Sequence, residues 1–445
     1  MNEDRSLLEP LVLKGGRVVD PASGLDAIAD LRLERGEVAA LETQPGAIDT
    51  AGARVIDVDG LLVCPGLVDP HVHLREPGGE RKETIETGTN ASIAGGFTTV
   101  CCMPNTVPAI DSPTTLGFIR MRAEETAHCR VFVVAAATEN RAGEALAPIN
   151  ALTRGGAVAF SDDGQGVACP DMMRKVLRAC HSVDRAFMQH CQDAALTAGA
   201  SMHEGNVSTR LGLIGWPRVA EEVMLERDLR LNREIGCRYH AQHLSSGNSV
   251  EILRTARAAG VPATGEVSPH HLLLTDEACD DWNTNGKMNP PLREASDVRT
   301  LIEGVVEGVI TVLATDHAPH TIADKEAPFD QAAWGIVGIE CALPLYAEAL
   351  VHSGAIDWPR MIAMMTIEPA RLCRLDEQGI GSLKVGGPAD VTVIDPDLAW
   401  TIDVNEFKSK ARNCPFDGRE VRGRAVLTIL GGEVLGDRLA ATAAC

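Results

Sequence analysis

What the chain lacks narrows its chemistry before any motif is read. Its 445 residues contain no P-loop and no GxSxG turn, so neither phosphate transfer nor a serine nucleophile has support. The 13 cysteines, an odd number, form no CxxC pair. Several of them (Cys101, Cys102, Cys191) lie in apolar runs, where a reduced thiol behaves as a small hydrophobe. No apolar run reaches the length of a membrane span, and the N-terminal MNEDRSLLEP is acidic, without the basic and apolar regions of a signal peptide. Positive charge is scarce: 41 Lys and Arg against 62 Asp and Glu leave a net charge of −21. That balance argues against nucleic-acid or membrane partners, whose surfaces need clustered Lys and Arg. An anionic small molecule stays open as a ligand, provided that a local positive site captures it. No internal repeat or low-complexity segment is evident. The expectation is a reduced, cytoplasmic protein whose composition, 45% hydrophobic and 23% charged, suits a large core.

Residues 11–64 read as β structure. The apolar-alternating runs are Leu11–Val19, Asp30–Glu34 and Val55–Val63, with turn signals at Gly15-Gly16, Arg35-Gly36 and Asp59-Gly60. From Pro65 the pattern changes to strands alternating with helical segments. Eight apolar runs follow: Leu67–Leu74, Phe97–Met103, Val131–Ala137, Ala157–Ser161, Ala186–Cys191, Tyr239–Leu244, Pro262–Val267 and Ile310–Thr315. Helical stretches are expected at Thr84–Ala94, Asp171–Val183, Arg218–Ile235, Asn248–Ala259 and Ser296–Glu307, and later near Ile339–His352 and Pro359–Leu375. The class is α/β. A (β/α)8 TIM-type barrel is the economical closure, with an open doubly wound sheet as the other solution. Alternation returns at Ala389–Ile394 and Ala425–Leu430. Residues 1–64 and 384–445 are therefore expected to pair into a small flanking β domain around a barrel of residues 65–383.

The stretch Pro65-Gly-Leu-Val-Asp-Pro-His-Val-His-Leu-Arg75 is the point of departure for function. Side chains alternate along a strand, so His71 and His73 project the same way and can grip one metal ion. A bare HxH is more often two satisfied histidines near a turn. The other strand ends change that balance: Ser161-Asp162-Asp163-Gly164 after the fourth, His190 at the fifth, His243 at the sixth, and Thr315-Asp316-His317 at the eighth. Catalytic groups of barrels sit at these ends, and joint occurrence at five of them favours a metal site.

The chain resembles the amidohydrolase superfamily and, within it, the bacterial type I dihydroorotases. The stretches that carry this are PGLVDPHVHLREPG (65–78), ETGT (86–89), GGFTTV (95–100), CMPNT (102–106), FSDDG (160–164), EVSPHHLLL (266–274), KMNPPLR (287–293) and ATDHAPH (314–320). The resemblance implies zinc ligands at His71, His73, Asp163, His190, His243 and Asp316, with one or two Zn²⁺ per subunit. Many relatives, hydantoinases included, bridge two metals with a carbamylated lysine on strand four; here an aspartate, assigned as Asp163 rather than Asp162, takes that place. The implied reaction is reversible hydrolysis of (S)-dihydroorotate to N-carbamoyl-L-aspartate in pyrimidine (UMP) biosynthesis, with Asp316 as general base and then acid.

The substrate's carboxylate needs fixed donors. Arg75, just past the histidine pair, can clamp a carboxylate bidentately. The resemblance adds Asn105 and His320 as its partners, places His73 against substrate as well, and gives the ring amide groups to Asn289 and to the backbone around Trp334-Gly335. The plainer readings are a surface ion pair of Arg75 with Glu76 or Glu80, and a turn role for Asn105. His317, His270 and His271 read as supporting or packing residues, and His203 has no role. Residues 321–333 read either as a solvated connection or as a lid.

Two alternatives stand beside this reading. One is a hydantoinase or allantoinase on the same barrel; the other is a non-catalytic dihydroorotase-like partner of aspartate transcarbamoylase. The missing lysine and the Arg75 site argue against the first, and the retention of all six ligands against the second. A homodimer is expected, and a complex with aspartate transcarbamoylase is a further possibility of the family.

Overall fold

The computed structural model describes residues 9–439. Residues 1–8, on which most of the signal-peptide argument rests, lie outside that range, as do residues 440–445 with Cys445. All eight expected barrel strands form: Leu67–Val72, Phe97–Cys102, Arg130–Ala135, Ala157–Phe160, Ala186–Gln189, Tyr239–Ala241, Ala263–Val267 and Val312–Leu313. They pair in parallel, each with its neighbour in sequence. The eighth is only two residues long, so the ring closes through other groups. The His73 N–H donates to the His317 carbonyl at 3.0 Å, and the buried Asp69 carboxylate accepts from the Thr315 N–H at 3.3 Å and from its hydroxyl.

Local chemistry sets the connections. The helix Ile85–Gly95 begins at Thr84, whose hydroxyl accepts from Thr87 N–H in a reciprocal capping box, and stops at Gly96 with φ 93°. Two expected helices are interrupted. Ile339–His352 becomes Ala342–Tyr346 followed by a π-type turn over Ala347–His352. Pro359–Leu375 divides at Thr366 (φ −132°) into Trp358–Met365 and Ile367–Leu372, because Pro369 has no N–H with which to continue the first helix.

Both ends of the described chain join one eight-stranded sheet beside the barrel. Its order is Glu433–Asp437, Glu420–Leu430, Val391–Thr401, Leu62–Pro65, Leu11–Asp20, Leu25–Glu34 and Glu37–Glu42, with Arg54–Asp57 alongside Leu11–Asp20. Most pairings are antiparallel; Leu11–Asp20 runs parallel to Arg54–Asp57 and Leu62–Pro65. The Gly15-Gly16 pair proves to be a bulge within the first strand instead of a turn. The register shifts between Leu13 and Gly16, and Gly15 (φ 78°) donates its N–H to Asp30 Oδ1 at 2.9 Å. Arg35-Gly36 is the turn its signal suggests, with φ of 54° and 82°. The sheet has its own core, including Leu13, Leu31, Val63, Val391 and Leu427. Inside the barrel, Val68, Cys101, Val134, Ala159 and Met188 pack with Leu372, Cys373 and Ile380. That packing fills the barrel and leaves the carboxyl ends of the strands for chemistry.

Candidate active site

Six side chains converge at those carboxyl ends, and all six are buried. His71 Nε2 lies 3.5 Å from Asp163 Oδ1 and 3.4 Å from Asp316 Oδ1. His73 Nε2 is 2.9 Å from Asp316 Oδ1 and 3.6 Å from Asp163 Oδ2. On the far side of Asp163, His190 Nδ1 and His243 Nε2 lie 3.5 and 3.6 Å from Oδ1 and 2.8 Å from each other. Asp163 thus stands between two histidine pairs.

The donor set fits a divalent cation. His71 Nε2 is fully buried and has no hydrogen-bond partner, although buried polar atoms are rarely left unpaired. Its other ring nitrogen, Nδ1, is 2.6 Å from Glu266 Oε1, which holds a proton on Nδ1 and turns Nε2 toward the Asp163 and Asp316 carboxylates. Burial disfavours the His71 imidazolium, yet Asp316, Glu266 and Asp163 together raise its pKa well above the ordinary value. The same crowding shows in Asp163: burial would raise its pKa, but His71, His190 and His243 hold it well below the usual carboxylate range. A buried, electron-rich ring of this kind is what a metal ion neutralises. Backbone strain collects here too, with positive φ at Arg75 (61°), His243 (29°) and Asp316 (47°).

The neighbouring aspartates have separate duties. Asp162 accepts from the N–H groups of Ala137 (2.9 Å) and Thr138 (3.0 Å) and from the Thr138 hydroxyl, tying the third strand to the fourth. Of the two, Asp163 reaches the cluster.

Every residue expected at the site except His71 lines one cleft of about 320 Å³. His71 sits beneath it with no exposed surface. Arg75 is not paired with Glu76 or Glu80. Those carboxylates accept from Arg122 (2.9 Å) and from the Gly78 N–H (2.8 Å), whereas Arg75 Nε donates to the Pro319 carbonyl at 3.2 Å. Burial lowers its pKa to about 10, which leaves it charged at neutral pH. Asn105 is more than a turn residue: Oδ1 is 2.9 Å from His73 Nδ1 and Nδ2 is 3.4 Å from Asp163 Oδ2. Asn289 Nδ2 donates to Gln192 Oε1 at 3.2 Å, while its buried Oδ1 has no partner. Gly335 has its N–H bonded to Lys287 O (3.0 Å) and its carbonyl to Lys325 and Asn413 (each 3.0 Å). A Cβ there would meet Ala318 O at 2.7 Å and His320 at 2.8 Å, and its φ of 150° favours glycine. What Gly335 contributes is a close backbone wall.

Several supporting groups went unassigned in the sequence. Glu266 closes the seventh strand and also accepts from the His243 N–H at 3.2 Å. A lone acid in the apolar run Pro262–Val267 was the signal for it. Gln192 touches His190 Nε2 at 3.0 Å. Asn413 comes from beyond the barrel, with Nδ2 to Ala318 O (3.0 Å) and Oδ1 receiving the His320 N–H (3.1 Å); nothing in its neighbourhood marks it. Among the other histidines, His317 lies 3.4 Å from Glu83, and His271 bonds the Pro290 carbonyl at 3.0 Å. His270 is buried, and His203 packs on Arg293 at 3.2 Å.

Comparison with known proteins follows the same lines. A family model described as dihydro-orotase-like matches residues 60–249. A dihydroorotase of Pelotomaculum thermopropionicum is 46% identical over 426 residues, 96% of this chain and 98% of that protein. One from Syntrophus aciditrophicus is 42% identical over 425 residues, covering 96% and 99%. Among solved structures, the L-hydantoinase (dihydropyrimidinase) of Arthrobacter aurescens superposes with a TM-score of 0.86 at 25% identity, over 97% of this chain and 96% of that one. A D-hydantoinase superposes at 0.83 with 21% identity, a likeness of fold alone. The barrel is thus common to several cyclic amidohydrolases, but identity above 40% over nearly the whole length is found with one group of them: the chain belongs to the dihydroorotase family.

Proposed function

We propose that this protein is a zinc-dependent dihydroorotase, interconverting (S)-dihydroorotate and N-carbamoyl-L-aspartate in pyrimidine biosynthesis. The observation that carries the zinc reading is the orphaned His71 Nε2, aimed into a ring of carboxylates at the floor of a cleft. His71, His73, His190 and His243, with Asp163 and Asp316, would hold the metal. Asp163, within 3.6 Å of both histidine pairs, would be the ligand they have in common. Zn²⁺ bound there supplies a Lewis acid that acidifies water and polarises the carbonyl it faces.

The chain's own groups do the rest. Asp316, kept below the usual carboxylate range by His71 and His73 despite its burial, is ionised and ready to accept a proton. In ring opening it takes the proton of the attacking water as the C–O bond forms, and returns it to the ring nitrogen as the C–N bond breaks. Ring closure reverses both transfers. Arg75, Asn105 and His320 hold the substrate carboxylate at the other end of the cleft, and the unpartnered Asn289 Oδ1 accepts a ring N–H.

The test is a ring-opening assay with dihydroorotate before and after chelation, followed by readdition of zinc. Full activity in a thoroughly metal-free preparation would sink the metal reading. Turnover of hydantoin in preference to dihydroorotate would restore the hydantoinase alternative, and inactivity of the zinc-loaded protein the scaffold one. We further divide the chain into a barrel of residues 65–383 and a β domain of 1–64 with 384–445. The sheet's own core and the strand bounds at Pro65 and Val391 support this division, with Val19, Leu62, Cys64, Ile394 and Ala425 packing the sheet onto the barrel. A cytoplasmic location accords with the free state of the 12 described cysteines. Among the described residues, no helix is long and apolar enough to cross a membrane. Homodimer formation and association with aspartate transcarbamoylase rest on the family resemblance alone, and sedimentation with and without that partner tests both.

A further inference from the structure

We infer that Lys82 is a positioning residue for substrate selection: it holds the imidazole of His320 in the Nε2–H tautomer, so that His320 and Arg75 present two donors to one anionic group. This rests on reading the Arg75 end of the cleft as the carboxylate subsite, and the test below separates the two ideas.

The geometry around His320 is unusual. Lys82 Nζ lies 3.3 Å from its Nδ1, and Arg75 Nη2 lies 3.4 Å from its Nε2. An ammonium and a guanidinium have protons to donate and no lone pair to offer. A neutral imidazole has one donor and one acceptor nitrogen, so it satisfies only one of these two neighbours. Doubly protonated, it would satisfy neither. Burial, reinforced by Arg75, Lys82 and Lys325, pushes its pKa down to about 2, so the ring is neutral at any working pH.

Lys82 is the neighbour held in place to win. Asp324 Oδ2 lies 3.8 Å from both Lys82 Nζ and His320 Nδ1, beyond hydrogen-bond distance of either, so Lys82 at 3.3 Å is the nearer partner of Nδ1. Asp324 is itself fixed at the start of the short helix Ile322–Lys325, where it exchanges hydrogen bonds with Thr321 at 3.1 and 3.2 Å. With Nδ1 accepting from Lys82, the proton sits on Nε2 and faces the Arg75 guanidinium, donor against donor. Arg75 already spends its Nε on the Pro319 carbonyl. An oxygen anion set beside Nε2 and Nη2 accepts from both and removes the conflict. A planar carboxylate has the charge and the oxygens for this; a ring without one does not. Lys82 is absent from the cleft lining, so it acts through His320 and not by touching substrate.

The experiment uses the full-length, zinc-loaded protein. Nitrogen-15 spectra of its histidine rings, with the His320 signal identified by its loss in His320→Asn, read the tautomer directly. The expected result is Nε2–H in the native protein, a shift toward Nδ1–H in Lys82→Met, and recovery in Lys82→Arg. In kinetics, Lys82→Met should raise KM for dihydroorotate about tenfold, as for one charge-assisted hydrogen bond, with a much smaller change in kcat. The same change in a His320→Asn background should add little further, because the two residues act as a unit. Nδ1–H in the native protein, or fully additive losses in the double variant, would overturn the proposal. Should Arg75→Met damage dihydroorotate and dihydrouracil equally, the carboxylate subsite fails, while the spectra still decide the tautomer.

Discussion

The two ends of the cleft are built by different means. At the floor, five strand ends supply histidines and carboxylates, every one buried and each held by the barrel itself. At the Arg75 end, the donors stand on loops, and those loops are held by cations. Lys325 Nζ, 5% exposed, donates to the carbonyls of Ala333 (2.9 Å), Gly335 (3.0 Å) and Lys287 (3.3 Å). Lys287 Nζ donates to Phe329 O (2.5 Å) and Asp330 O (3.2 Å) and lies 4.6 Å from the Trp334 ring centre. These bonds lace residues 321–333 to the cleft wall. The difference is one of function. Rigid strand ends suit groups that must hold an ion, whereas loops fixed from behind can specify a substrate without disturbing the reaction centre. In a chain of net charge −21, Arg75 lines this end of the cleft, with Lys82, Lys287 and Lys325 behind it.

The comparison breaks most sharply at Asp316. Asp316→Asn keeps the size but removes the proton acceptor, and hydrolysis should fall by ~10² to 10⁴, the usual span for a positioned acid or base. Metal content measured alongside must stay near native; normal turnover with metal retained would mean that another group is the base. Next comes Glu266, which lies outside the cleft lining and backs His71 at 2.6 Å while also holding His240 and the His243 N–H. Glu266→Gln should weaken zinc binding by roughly 10- to 100-fold in a competition titration with a chelator. Unaltered affinity would reduce Glu266 to a structural acid.

At the other pole, Arg75→Met should cost dihydroorotate at least ~2 kcal/mol in kcat/KM, and dihydrouracil much less, since only the former brings a carboxylate. Equal losses would return Arg75 to structure. The smallest effect concerns the lysines behind the loop. Burial, with the nearby Lys287 charge, lowers Lys325 to about 7, while an unfolded lysine titrates near ~10.4. Between those pH values the folded chain binds fewer protons than the unfolded one, so stability should rise with pH across this window, and below it the burial cost is fully present. Urea unfolding of native protein and Lys325→Met at two pH values checks this: the variant should lose part of the upward slope, and identical slopes would mean that Lys325 stays charged.

The sequence by itself placed the eight strands and the histidines and aspartates at five of their ends. Those features are written in short-range patterns: alternation along strands, glycine at helix ends, and polar residues placed where apolar runs stop. Local signals misled where neighbouring chain decides the outcome. Gly15-Gly16 reads as a turn but accommodates a bulge beside Asp30, and the helix before Pro369 breaks at Thr366. Of the adjacent pair Asp162 and Asp163, Ala137 and Thr138, just past the third strand, occupy the first. Tertiary structure alone decided the supports: Glu266 behind His71 across 195 residues, Asn413 behind Gly335 across 78, and Lys82 behind His320 across 238. No periodicity records such pairs, because a buried hydrogen bond depends on where two distant backbones meet, and that is set by how the barrel closes and the loops pack over it.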